Sequence, residues 1–156
     1  MSYLPQVPFR RAYDAVRLAD FQAKEVPANI SPVSKWDVLR ELGVARREFG
    51  LSDRTVNVLQ ALLSFHSETE LTINGAPPIV YPANATICAR LNGMPCSTMR
   101  RHLAALVNAG FLIRRDSPNG KRFKRSSGAV FGFDLSPLVT RFAEIHSKAD
   151  HIRQTQ

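Results

Sequence analysis

Arg100 and Arg101, following directly on Ser97 and Thr98, are the side chains here best suited to reading a nucleic acid. A guanidinium donates two parallel hydrogen bonds to a guanine edge, and short hydroxyls meet phosphates or bases. A second basic group, Lys121, Arg122, Lys124 and Arg125, follows further along, suited to the sugar-phosphate backbone. Between Ser97 and Arg125 eight cations stand against Asp116 alone, which accounts for +7 of the chain's net +8. Charge spread evenly would read as a solvated face. Charge gathered on one stretch is the electrostatic footprint of an anionic partner. On charge alone that partner is nucleic acid or an anionic membrane, and the elements carrying the charge separate the two.

Other chemistries lack their parts. His66 and Glu68 with Pro95-Cys96 approach a zinc-deaminase pattern, but that pattern needs a cysteine where Met99 stands. No glycine loop precedes a Lys-Ser/Thr pair to cradle a phosphate. No catalytic residue, metal ligand or cofactor is therefore expected, and the chain reads as a binding protein. Cys88 and Cys96 do not make a disulfide framework; both are expected as reduced thiols, with Cys88 a small core residue.

The elements that must hold these residues follow from apolar spacing. Asn84 is suited to cap a helix whose buried positions are Ile87, Cys88 and Leu91. Asn92 to Pro95 is a tight turn with Gly93 suited to positive φ. A longer helix runs from about Cys96 to Asn108, with Met99, Leu103, Leu106 and Val107 inward. Ser97, Arg101, Ala104 and Asn108 lie opposite, and Arg100 lies on the flank. His102 sits near the apolar side and reads as a boundary residue. Phe111 to Arg115 is a strand, Asp116 to Gly120 a turn, and Lys121 to Arg125 the antiparallel return. Val130 to Phe133 is a further strand. Helix, turn, helix and basic hairpin in this order predict a winged helix-turn-helix, with the second helix in a major groove and the hairpin on the adjacent backbone or minor groove.

The remainder is scaffold. Ser34 and Ser52 cap two helices with inward stripes Trp36, Leu39, Leu42, Ala45, Phe49 and Val56, Leu59, Leu62, Leu63. Phe9 to Lys24 has helical spacing, and Val26 to Val33 reads as a linker. Thr69 to Pro78 reads as a loop. Ser136 caps a last helix with Pro137 in its first turn. Its stripe of Leu138, Phe142, Ile145, Ala149 and Ile152 suits either its own domain or a homodimer seam. The expected class is α+β, mainly helical, divided as 1–33 (N-terminal extension), 34–135 (DNA-binding domain) and 136–156 (C-terminal helix). No apolar run approaches the roughly 18 residues of a membrane span, and Met1 to Asp14 lack a signal core. A cytoplasmic location is expected.

Five strings carry a family likeness: Leu51-Ser-Asp-Arg-Thr55, Ala61-Leu-Leu-Ser-Phe-His66, Met99-Arg-Arg-His-Leu-Ala-Ala-Leu106, Ala109-Gly-Phe-Leu-Ile-Arg-Arg-Asp-Ser-Pro-Asn-Gly-Lys-Arg122 and Phe131-Gly-Phe-Asp-Leu-Ser-Pro-Leu138. Together they resemble the N-terminal region of the RepC family, the replication initiators of repABC plasmids. The resemblance runs from about Trp36 to Glu144. It implies sequence-specific binding of double-stranded DNA at the plasmid's own origin, by the N-terminal part of a longer initiator. A winged-helix transcriptional regulator at a promoter is the alternative, because fold does not fix function.

Overall fold

The computed structural model describes residues 30–116, 123–124 and 130–156. The chain is α+β and mainly helical, with six α-helices and six short strands among the described residues.

Helix α1 (Lys35–Ala45) buries Val38, Leu42 and Ala45 completely, at the spacing that puts them on one face. The expected stripe differs at its start: Trp36 is 41% exposed, and Val38 takes the inward position. Lys35 is the buried neighbour. Its Nζ donates to the Leu63 carbonyl at 3.0 Å and to the His66 carbonyl, closing the end of the next helix. Burial pushes its pKa below the usual lysine value, and the two carbonyls offset that cost. Ser34 precedes α1 without a side-chain cap bond.

A 3-10 turn at Arg46–Phe49 leads to α2 (Asp53–Leu63). Here the expected cap holds: Ser52 Oγ accepts from the Thr55 N–H at 3.1 Å. The segment read as a loop contains a strand, because Val33–Ser34 (β1) pairs antiparallel with Glu70–Leu71 (β2). Leu71 is fully buried, which gives that ribbon its inward anchor. Strand β3 (Ile79–Val80), helix α3 (Asn84–Arg90) and helix α4 (Cys96–Asn108) follow. Ala83, not Asn84, occupies the cap position of α3.

The sheet is built around β6 (Val130–Asp134). It takes β3 along one partner line, with Val80 opposite Phe133, and β4 (Ile113–Arg115) along another, with Arg115 opposite Gly132. The expected hairpin is corrected here. Strand β5 (Phe123–Lys124) pairs with β6, Phe123 opposite Phe131 and Lys124 opposite Val130, and does not return along β4. Strands β4 and β5 therefore share β6 as their antiparallel partner. The physical reason is β-propensity: Val130, Phe131 and Phe133 make β6 the strongest strand former, so the shorter strands pair with it.

The expected single C-terminal helix divides at Arg141 into α5 (Ser136–Thr140) and α6 (Phe142–Thr155). The acceptor at its start is Asp134 in place of the Ser136 side chain. Asp134 Oδ1 takes the Ser136 N–H at 2.9 Å and its hydroxyl at 2.6 Å. Of the two uses expected for the last stripe, packing on its own domain is the one observed: Leu138, Ile145 and Ala149 are fully buried in the chain's own core, and Phe142 and Ile152 are half-buried. The stripe is spent inside the chain because α6 lies along α1, tied to it through Glu41. That buried carboxylate accepts from Arg153 and from His146 Nδ1 at 2.6 Å. None of the described helices is long and apolar enough to cross a membrane.

Candidate nucleic-acid interface

Helices α3 and α4 are joined by a turn in which Asn92 (φ 59°) and Gly93 (φ 80°) both adopt left-handed backbone. The Gly93 N–H donates to the Cys88 carbonyl at 2.9 Å, closing α3 as the chain reverses. The reversal brings the end of α3 onto the start of α4. There the structure corrects the expectation of two separate thiols: Cys88 and Cys96 are joined in a disulfide, their Cα atoms 5.9 Å apart. The expected burial of Cys88 holds.

Met99, Leu103, Leu106 and Val107 bury one side of α4 in the core. Helical geometry then sends Ser97, Arg101 and Asn108 to the other side, and all three are exposed. Arg100 is exposed on the flank and Thr98 is half-buried. Arg101 Nη2 donates to Thr98 Oγ1 at 3.3 Å, one turn earlier on the same face. Five of the candidate DNA-contacting residues thus gather on one helix held rigidly from below.

His102 occupies the boundary position expected of it. Its Nδ1 lies 2.8 Å from Thr55 Oγ1, which lies 3.0 Å from Ser52 Oγ, so a polar strut ties α4 to the first turn of α2. Burial lowers the pKa of His102, and the positive charges of Arg54 and Arg101 lower it further. Both effects favour the neutral imidazole.

The hairpin cations are placed less completely. Lys121, Arg122 and Arg125 lie outside the described residues; Lys124 is placed by its backbone in β5. Two nearby arginines prove to be structural, as no local pattern announced. Arg115 Nε and Nη2 donate to Asp134 Oδ2 at 3.0 and 2.7 Å, so a buried carboxylate neutralises this cation. Arg141 Nη1 donates to the Ala109 and Gly110 carbonyls at 2.7 and 3.2 Å, satisfying the end of α4. Its guanidinium also stacks 4.3 Å from the Phe111 ring and pairs with Glu144 at 3.0 Å. Arg141→Ala is expected to destabilise the chain by about 2 kcal/mol, from the lost carbonyl bonds and the ring contact. Arg141→Lys should restore only part, lacking the planar stack. Urea unfolding of the three proteins checks this; an unchanged midpoint for Arg141→Ala would contradict it.

Away from α4, Glu41, His146 and Asp150 bring three ligand-type atoms within 4.8 Å of one another. Arg153 donates to both carboxylates, so a guanidinium already balances that cluster.

Residues 10–156 match the family model described as the replication protein C N-terminal domain. A protein of Rhizobium rhizogenes, provisionally named replication protein C, is 46% identical over 123 residues, covering 76% of this chain and 30% of its own length. A protein of the same provisional name from Sinorhizobium fredii (strain NBRC 101917 / NGR234) is 42% identical over 154 residues, covering 94% of this chain. The chain spans only 37% of the length of that second relative. No solved structure matches this chain.

Proposed function

From the premise that this chain belongs to the replication protein C N-terminal domain family, we propose that it is a winged helix-turn-helix which binds double-stranded DNA sequence-specifically at a plasmid replication origin. It acts in the cytoplasm as the DNA-binding part of an initiator, by binding alone and with neither catalytic group nor cofactor. Residues 34–135 form the binding unit, 136–156 brace it, and 1–33 are an N-terminal extension.

One observation carries the reading: Ser97, Arg101 and Asn108 are exposed in a row along α4 while the opposite face is sealed in the core. The topology supports it. Helix α3, a tight turn and α4 are followed by β4, β5 and β6, in a sheet ordered β3-β6-β4 with β5 also paired to β6. In this reading α4 enters the major groove and Arg101 exchanges its bond to Thr98 for a guanine edge. Arg100, Ser97 and Thr98 contact neighbouring bases or phosphates. Lys121, Arg122, Lys124 and Arg125 hold the backbone beside the groove.

Footprinting on DNA that spans and flanks the protein's own gene tests the reading, with protection expected at one discrete site. Protection confined to a promoter, with no support of replication by the full-length protein, would favour a regulator. At the protected site Arg101→Ala should lose about 1–3 kcal/mol of binding while affinity for mixed-sequence DNA barely moves. Equal losses on both DNAs would remove Arg101 from base readout.

A further inference from the structure

We propose that Arg54, on the neighbouring helix α2, is a second anchor of this interface: its guanidinium holds a phosphate on the strand flanking the groove that α4 enters. The inference rests on the DNA-binding reading above and adds a contact that neither the charge cluster nor the helix-turn-helix pattern includes.

The geometry begins at the strut. Thr55 is 3% exposed and points inward, its hydroxyl 2.8 Å from His102 Nδ1. Successive helical residues are about 100° apart, so Arg54, one place earlier, turns away from that contact, and it is exposed. The strut therefore sets Arg54 at a fixed offset from α4. On α4 itself, His102 lies on the flank that also carries Thr98, next around the helix from Arg101. Arg54 is next to Thr55 in sequence and Arg101 is next to His102, so the Thr55–His102 contact brings two exposed arginine positions to the same junction of α2 and α4.

Position decides what Arg54 touches. An α-helix with its side chains is about 10–12 Å across, and the major groove is about 12 Å wide. A helix lying in the groove fills it. A side chain on an adjoining helix, beside the flank of the inserted one, then meets the sugar-phosphate ridge and not the base edges. Arg54 is thus a backbone contact, distinct in kind from Arg101.

The test is salt-dependent binding of a fluorescein-labelled mixed-sequence duplex to the full chain, wild type beside Arg54→Ala, Arg54→Gln and Arg54→Lys. Losing one phosphate contact should flatten the slope of log K against log[salt] by about 0.9 unit in Arg54→Ala and Arg54→Gln. Arg54→Lys should keep the slope. The loss should be the same fraction on a specific site as on mixed sequence. Thermal melting of each variant should match wild type, and Arg54→Gln separates loss of charge from loss of side-chain bulk. Wild-type binding with an unchanged slope in Arg54→Ala and Arg54→Gln overturns this inference and leaves the DNA-binding reading standing. Failure of the wild type to bind any duplex overturns both.

Discussion

Gly132→Ala should destabilise the chain by about 3 kcal/mol or more, seen as a large drop in the urea midpoint and in Tm. Gly132 lies in β6 opposite Arg115 of β4, while β3 passes on the other side. A Cβ built at this position would run into the Val80 carbonyl oxygen and come within 2.9 Å of Tyr81 Cα. Both obstacles are backbone, so no rotamer change relieves them. Either β3 withdraws, losing the Val80–Phe133 pair, or β6 shifts. Phe133 is buried in the core, and Asp134 carries both Arg115 and the start of α5, so a shift of β6 spreads. Binding should fall with the fold and not selectively. A midpoint within error of wild type would show that β3 does not cross so close to β6.

Acid is the second large lever, through Glu41. This carboxyl is buried between α1 and α6 and held at about 2, chiefly by the hydrogen bond from Arg153; burial opposes that, and His146 and Arg40 assist it. In the unfolded chain it titrates near 4.5. The folded pKa is the lower one, so the stabilisation is complete above pH 4.5 and is lost as pH falls towards 2. Its size is about 3 kcal/mol by linkage. Urea midpoints taken across that pH range should fall more steeply for wild type than for Glu41→Gln, whose amide does not titrate there. Glu41→Gln should also be less stable at neutral pH, because Arg153 and His146 lose their common carboxylate. Parallel pH profiles for the two proteins would sink the assignment. The readout is the docking of α6 on α1, so affinity for DNA near neutral pH should hardly respond.

Local signals carried far in this chain. Ser52 was legible as a cap because the bond it accepts comes from Thr55, three residues on. Gly93 was legible as part of the turn because glycine adopts the positive φ found there without strain. Met99, Leu103, Leu106 and Val107 marked the buried side of α4, and so identified Ser97, Arg101 and Asn108 as the outward row. The same logic misassigned Trp36, where a large apolar side chain fits the stripe but Val38 reaches the core. It also credited Arg115 to the basic surface, since nothing within a few residues reveals that Asp134 takes it.

By itself the sequence determined where most helices lie, the Ser52 cap, the turn at Gly93, the concentration of positive charge and the family. Each of these depends on residues within about one helical turn or strand of one another, or on strings that match as strings. Only the tertiary structure decided that β5 pairs with β6, that Cys88 meets Cys96, that Arg141 closes α4, that α6 lies on α1, and that Thr55 meets His102. Those contacts join residues whose meeting depends on how the chain reverses and packs. Periodicity along the chain specifies which face turns inward and leaves open which partner it will find there.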